Sequence, residues 1–430
     1  MLEINEIRAN RARIEAGLRK RNWKTEAIRV IDQILECDDR RKNLQTQSDA
    51  LLSERNTLSK KIGELMREGK TADAEQAKQQ VSSFKTTIDE LQVHADNVKT
   101  ELEELLFTVP NIPHESVPAG KSAEENELVR PWSKPMPVLH DGALAHWDLA
   151  TKHRIMDFKL GVKVTGSGFV VFRGRGAKLE RALISYFLDR AIAAGYEEII
   201  PPLLVNADTA RGTGQLPDKE GQMYLAEKDG LYLIPTAEVP VTNLYRDEIL
   251  AESDLPVKLC GYTPCFRREA GSYGSDVKGL NRVHQFDKVE IVQLTHPDKS
   301  YETLEEMIDH VASLLDALEL PYRVVRLCGG DMGFTSAITY DFEVYAAAQR
   351  KWLEVSSVSN FETFQSNRMQ MRYKDSRGKN RLVHTLNGSA LALARIVAAL
   401  LENNQSPEGI RIPAVLQPYT GFSLIGDGER

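Results

Sequence analysis

From Ala74 onward, apolar or small residues fall at 74, 77, 81, 84, 88, 91, 95, 98, 102 and 105, in alternating steps of three and four. Such steps keep one stripe of a helix against a partner over about four heptads. The run 28–66 shows the same spacing at Leu44, Leu51, Leu58, Ile62 and Leu65, interrupted at Ser48 and Arg55. Proline is absent before Pro110, glycine is sparse, and "REGKT" at 67–71 supplies a turn. The pattern predicts that residues 1–107 are helical throughout. It also predicts one long antiparallel coiled-coil hairpin, each arm roughly 50–60 Å at about 1.5 Å per residue. Two long helices with polar outer faces bury little else, which favours a protruding arm over a packed bundle.

"TVPNIPHESVP", 108–118, carries three prolines and reads as a linker. Beyond it, strand and helix periods mix. "GFVVFRG" reads as a strand, 177–195 as an amphipathic helix ending at Gly195, and "EEIIPPLLV" as a strand with a proline pair. "HPDKSYETLEEMIDHVASLLDALEL" reads as a helix, "YRVVRLC" and "KWLEVSSVSN" as strands, and "GSALALARIVAALLEN" as a C-terminal helix. Hairpin-like strand pairs recur, so the sheet is expected to be mostly antiparallel and the fold class α+β.

Composition narrows this only a little. At 430 residues the chain has room for two domains or more, and 42% hydrophobic with 27% charged residues is a soluble globular mixture. A net charge of −7 provides no global basic field, so any nucleic-acid binding needs a local patch. The hairpin offers one. Residues 55–85 hold seven basic residues (Arg55, Lys60, Lys61, Arg67, Lys70, Lys78, Lys85) against four acids, whereas 86–107 hold one lysine and six acids. A basic tip on an acidic stem suits a phosphate backbone, although charge runs on coiled coils are commonly just solvated faces. Cys37, Cys260, Cys265 and Cys328 are scattered and form no Cys-x-x-Cys pair, so neither a zinc site nor a disulfide framework is expected. "MLEINEIRANR" has no apolar signal core, and "ALALARIVAALL" is too short to span a bilayer. A cytoplasmic protein without a membrane segment is the expectation. No P-loop or Gly-x-Gly-x-x-Gly element follows a strand.

The stretch "CFRREAGSYGSDVKGLNRVHQFDKVEIV", 265–292, reads as two strands joined by a glycine-rich loop. Alternation puts Arg282, His284, Phe286, Lys288 and Glu290 on one face of the second run, with Val289 and Ile291 on the other. Arg267 and Glu269 share a face of the first run. "LIPTAEVPV" puts Thr236 and Glu238 on one face of an extended segment, and "WLEVSSVSN" does the same for Glu354 and Ser356. "NGSALALARI" reads as a helix opening at Gly388–Ser389 that brings Arg395 round about two turns later. Singly, each has an ordinary structural explanation: turn residues before Pro240, an exposed strand glutamate, an N-cap serine. Arg395 amid Leu391, Leu393, Ile396 and Val397 is harder to dismiss, because an arginine there needs an anionic partner.

Together these elements resemble the class II aminoacyl-tRNA synthetases, and within them the seryl-tRNA synthetases of the bacterial type. "FRREAGSYGSDVKGLNRVHQFDKVEIV" resembles motif 2, "GSALALAR" motif 3, and "GAKLERALISYFLDRAIAAGYEEIIPPLLV", with Pro201, motif 1. "GTGQLP", "PTAE" and "EVSS" are similar to elements of the seryl enzyme. The resemblance covers essentially the whole chain. It implies a helical tRNA-binding domain with a coiled-coil arm at 1–107, a linker at 108–118, and a catalytic domain at 119–430 with a mostly antiparallel sheet flanked by helices.

It also implies ATP-dependent ligation of L-serine to tRNA(Ser) through a seryl-adenylate. Arg267 and Arg395 would be the catalytic arginines, on the α- and γ-phosphates. ATP binding would use Arg267, Arg268, Glu269, Phe286, Glu354, Val355, Ser356, Ser357 and Arg395, with Phe286 on the adenine ring and Glu269 on its amino group. Thr236, Ala237, Glu238, Glu290, Asn387 and Ser389 would line the serine pocket. Glu354 and Ser357 would hold Mg²⁺, with no zinc expected. Arg55, Lys60, Lys61 and Lys78 would contact tRNA(Ser), a selenocysteine tRNA staying open as a second partner. A homodimer is implied by motif 1. The remaining alternatives are another class II synthetase, threonyl or prolyl, and a non-catalytic synthetase-like binding protein. A threonyl-type site would need a Cys/His zinc triad, which these cysteines do not suggest.

Overall fold

The computed structural model describes residues 1–218, 221–269 and 278–426. Most of the glycine-rich loop within 265–292 therefore lies outside the described residues. The chain divides into two compact units, Met1–Arg19 with Trp23–Pro110 and Lys20–Asn22 with Asn111–Arg430.

The first unit is helical. Helices α1 (Ile4–Ala9) and α2 (Arg11–Lys20) precede α3 (Val30–Arg67) and α4 (Thr71–Thr108), which pair along their length. The two long helices have 38 residues each, about 57 Å at the α-helical rise. Gly69, at φ 76°, takes the left-handed conformation that ends α3, which is why the turn sits at 67–71. The expected seam residues are the ones withdrawn from solvent. Ala74, Ala77 and Leu102 are buried, and Val81, Phe84, Ile88, Leu91, Ala95 and Val98 are half-buried between exposed neighbours. Ser48 and Arg55, the apparent interruptions, sit half-buried in the same stripe. At the foot of the hairpin, burial opposes the charge on Asp38. Hydrogen bonds from Lys42, Arg41 and Arg8, at 2.7–2.9 Å, nevertheless hold its pKa down at about 2.

The second unit is built on a sheet of eight strands among the described residues. In chain order these are β1 (Glu127–Arg130), β2 (Glu197–Glu198), β3 (Val257–Phe266), β4 (Gln285–Thr295), β5 (Tyr322–Arg326), β6 (Ile338–Ala346), β7 (Lys351–Glu362) and β8 (His384–Ala392). Their spatial order is β1-β5-β6-β7-β8-β4-β3-β2. All neighbours are antiparallel except the edge pair β2–β3. The expected mostly antiparallel sheet is present. Helices α5 (His146–Lys152), α6 (Gly174–Ala193), α8 (Ser300–Ala317) and α9 (Leu393–Asn403) belong to this unit, as does the short α7 (Glu238–Thr242). Leu183, Phe187, Val311, Leu315, Phe342, Ile396 and Leu400 meet in one large core with Val289 and Ile291 of β4. No helix among the described residues is long and apolar enough to cross a membrane.

Four local expectations change. Gly388 and Ser389 do not open a helix; they lie inside β8, and the helix starts only at Leu393. β8 sits between β4 and β7 and is buried on both faces, so its run of apolar residues satisfies a central strand as well as a helix. Thr236 and Glu238 do not share an extended segment, because Ala237 is already helical and Glu238 begins α7. β3 ends at Phe266, so Arg267 and Glu269 lie past the strand, with Glu269 at φ 48°. Arg282 and His284 precede β4, and the His284 ring stacks on Phe169. The segment read as a linker belongs, from Asn111 on, to the second unit. The Asn111 amide donates to Phe334 O at 3.0 Å, its side chain donates to Thr335 O and Phe361 O, and Ile112 and Val117 are buried.

Candidate active site

A cavity of about 610 Å³ opens over β4, β7 and β8 of the second unit. Pleating of β4 turns Phe286, Lys288 and Glu290 into the cavity while Val289 and Ile291 enter the core. Antiparallel register sets Glu290 opposite Ser389 of β8, so both side chains meet at the floor. On β7 the pairing with β6 slips between Phe342 and Glu343, leaving Val355 without a partner. That bulge explains why four consecutive residues, Glu354, Val355, Ser356 and Ser357, all line the cavity.

The floor is a buried charged cluster. Lys288 Nζ donates to Thr236 Oγ1 at 2.8 Å and to Ser389 Oγ at 3.3 Å, and is ion-paired with Glu290. The Thr236 hydroxyl donates to Glu290 at 3.2 Å. Beside them, Glu238 accepts from Gln365 Nε2 at 2.7 Å, and Gln365 accepts from the Thr385 hydroxyl at 2.7 Å. Burial, then the nearby Glu290 charge, pushes the Glu238 pKa up to about 7. Such a floor is small, polar and able to hold both an ammonium and a hydroxyl group.

The outer part carries the arginines. Arg267 Nε donates to Pro235 O at 3.3 Å, and its guanidinium lies 5.2 Å from the Phe286 ring centroid. Arg395 Nε donates to Asn281 O at 3.0 Å and Nη1 to Glu354 O at 2.6 Å. Both line the cavity and retain further N–H donors for an anion. Glu269, at the rim, is ion-paired with Arg282 at 2.8 Å.

The Ser357 hydroxyl donates to Asp341, whose carboxyl is held well above the usual carboxylate range by burial and by the Glu354 charge. Glu354, Ser357 and Asp341 form an all-oxygen donor set, which fits Mg²⁺. Among the described residues no three His, Cys, Asp or Glu side chains cluster closely enough to hold a metal by themselves.

Of the expected site residues, Thr236, Glu238, Arg267, Glu269, Phe286, Glu290, Glu354, Val355, Ser356, Ser357, Asn387, Ser389 and Arg395 line this one cavity. Arg268 does not; it is exposed, and its amide donates to Gln222 O at 2.9 Å. Ala237 is buried instead among Val241, Leu259 and Val292. Sequence reasoning had placed Lys288 on the right face without a role, and had missed Asp341 and Gln365. Asp341 lies on the polar phase of β6 with Thr339 and Glu343, so alternation did not single it out, and nothing pointed to Gln365. On the hairpin, Lys60, Lys61 and Lys78 are exposed, Lys78 lies 3.2 Å from Glu75, and Arg55 is half-buried.

Comparisons with known proteins agree with this geometry. The family model described as the seryl-tRNA synthetase N-terminal domain matches residues 1–113. The tRNA synthetase class II core domain (G, H, P, S and T) matches residues 224–404. A serine–tRNA ligase from Salinibacter ruber is 50% identical over 428 residues, covering 99% of each chain. One from Neisseria meningitidis is 47% identical over 429 residues, covering 98% of each. The solved seryl-tRNA synthetase from Pyrococcus horikoshii, complexed with ATP, superposes with a TM-score of 0.92 at 36% identity, covering 100% of both chains. A prolyl-tRNA synthetase from Giardia lamblia reaches a TM-score of 0.56 at 17% identity over 63% of this chain and 54% of its own, a likeness of fold alone. The chain belongs to the seryl-tRNA synthetase family.

Proposed function

We propose that this protein joins L-serine to tRNA(Ser) at the expense of ATP, through a seryl-adenylate. One observation carries the reading: Arg267 and Arg395 share a single cavity with a small buried floor of Thr236, Lys288, Glu290 and Ser389. A triphosphate needs the first pair, and a small hydroxylated amino acid suits the second group. The sequence relatives, both serine–tRNA ligases, and the ATP complex of the Pyrococcus horikoshii neighbour support it.

In the first step a serine carboxylate oxygen attacks the α-phosphorus in line, and pyrophosphate leaves. In the second, the terminal ribose hydroxyl of the tRNA attacks the seryl carbonyl carbon, and AMP leaves. Neither step needs a covalent bond to the enzyme. The chain contributes orientation and charge. Arg267 offers a planar fork to the α-phosphate, where negative charge shifts as the bond to pyrophosphate breaks. Arg395, fixed through Asn281 and Glu354 carbonyls, is aimed at the far phosphate. Phe286 offers one ring face to adenine, and Glu269 can accept from its amino group. Glu290 and Glu238 face the serine ammonium and hydroxyl. Lys288 keeps Glu290 from being an uncompensated buried charge. A pocket that hydrogen-bonds the hydroxyl rejects alanine by leaving its polar groups unpaired. Glu354 and Ser357, with Asp341 behind them, would hold Mg²⁺, which neutralises phosphate charge when bound.

The coiled-coil arm serves the tRNA, with Arg55, Lys60, Lys61 and Lys78 as its phosphate contacts. Such contacts are mainly to backbone and shape, because the A-form major groove is too narrow to read. We take the active form to be a homodimer. Exposed Ile192, Ile200, Leu203 and Leu204, around the Pro201–Pro202 pair, support an isologous interface there. A cytoplasmic location fits the substrate, and the four free, buried cysteines support it.

Serine-dependent ATP–pyrophosphate exchange tests the reading, with threonine and proline as controls. Exchange with serine is expected. Exchange driven by either control, or none at all, rejects it.

A further inference from the structure

A second buried cluster lies behind the phosphate end of the cavity. His146 of α5 and Glu402 of α9 are fully buried. Glu402 accepts from the His146 amide (3.0 Å), His146 Nδ1 (2.8 Å), Gln349 Nε2 (2.8 Å) and the amides of Ala348 and Gln349 (3.1 Å each). Five donors satisfy the carboxylate, so its charge is tolerated without a cation. The other ring nitrogen, Nε2, accepts the amide of Leu280 at 2.9 Å. An amide can only donate, so Nε2 is the acceptor and Nδ1 carries the proton toward Glu402.

Leu280 belongs to the chain that enters β4, and its neighbours are held from the same side. Lys278 Nζ lies 4.4 Å from the Trp147 ring centroid. Gly279, at φ 67°, runs so close to His146 that a Cβ there would meet Nε2 at 2.2 Å. Asn281 Nδ2 donates to Gln349 Oε1 at 2.8 Å, and its carbonyl receives Arg395 Nε at 3.0 Å. The path from Glu402 to the arginine that faces the phosphates is thus one connected set of hydrogen bonds. Nothing in the chemistry of the cavity uses His146 directly.

We infer that His146, fixed by Glu402, is a positioning residue for ATP: it clamps Gly279–Asn281, and through Asn281 it sets the place of Arg395. The inference rests on the ATP reading of the cavity. Two isosteres separate clamping from mere core filling. In His146→Asn the amide nitrogen replaces Nδ1–H and keeps Glu402 paired, but nothing accepts from Leu280. In His146→Gln the amide oxygen reaches the Nε2 position and restores that acceptor. For the full-length protein, His146→Asn should raise the KM for ATP in pyrophosphate exchange about tenfold, the worth of one buried hydrogen bond. The KM for serine should stay within about twofold, and His146→Gln should return the KM for ATP toward wild type. Equal values for ATP in the two variants, whether normal or raised, overturn the inference. Should His146→Asn fail to fold, Gly279→Ala, which keeps both buried side chains but drives a Cβ against His146 Nε2, should reproduce the ATP-selective defect. A wild-type KM for ATP in that variant overturns it equally. Calorimetric titration with ATP alone reads the same contrast without turnover. Loss of exchange in the unaltered protein would sink the functional reading, while these titrations still decide the role of His146.

Discussion

Replacing Glu238 with glutamine should stabilise the protein at neutral and alkaline pH while crippling it. The carboxyl is buried beside Glu290 and its pKa is lifted from an ordinary 4.5 to about 7. An acid whose pKa is higher folded than unfolded binds its proton more tightly in the native state. Its favourable contribution is complete below about 4.5 and is lost as pH rises through about 7. The gap of roughly 2.5 between the two values corresponds to about 3 kcal/mol. Glutamine cannot titrate, yet it keeps the oxygen that accepts from Gln365. Glu238→Gln should therefore match wild type near pH 4.5 and become the more stable protein above pH 7, by up to about 3 kcal/mol. Urea unfolding followed by tryptophan fluorescence from pH 4.5 to 8.5 measures this, since Trp132, Trp147 and Trp352 all lie in the second unit. In the same variant the KM for serine should rise at least about tenfold, because a charged hydrogen-bond acceptor facing the substrate is gone. A stability difference that is flat with pH, or that grows toward acid, would refute the reasoning.

Four further outcomes are expected. Arg267→Ala should cut pyrophosphate exchange by about 10²–10³ in kcat with an unchanged melting temperature, since it removes a donor on developing charge; exchange within about threefold of wild type would contradict the assignment. Replacing residues 48–94 by a short turn, where Gln47 and His94 border the same groove of the hairpin, should leave exchange intact and abolish most tRNA charging; normal charging would make the arm a structural appendage. Neutralising Arg55, Lys60, Lys61 and Lys78 together should weaken tRNA binding and flatten its salt dependence, as fewer counterions are released. Light scattering should find a dimer at micromolar concentration, and Ile200→Glu should shift it toward monomer; a monomeric wild-type protein would refute the interface.

The hairpin arms were legible along the chain because their fate is local. A helix in solvent needs only a stripe every three or four residues, a glycine to stop it and no proline. The half-buried positions from Val81 to Val98 are the ones that spacing picks out. β4 was legible for a similar reason, Phe286, Lys288 and Glu290 recurring at the period of two that a strand turns toward one cavity. The run 384–392 was not. Its apolar residues fit a helix or a strand buried on both faces equally well, and only the slot between β4 and β7 makes it a strand. The bulge that turns both Val355 and Ser356 toward the cavity comes from pairing with β6, not from β7 itself. Long-range chemistry was still less visible. Gln365 meets Glu238 across 127 positions, and His146 meets Glu402 across 256. Nothing near either residue in the sequence announces its partner. Periodicity records which face of an element is buried, while a hydrogen bond between distant segments exists only once the sheet has brought them to within about 3 Å.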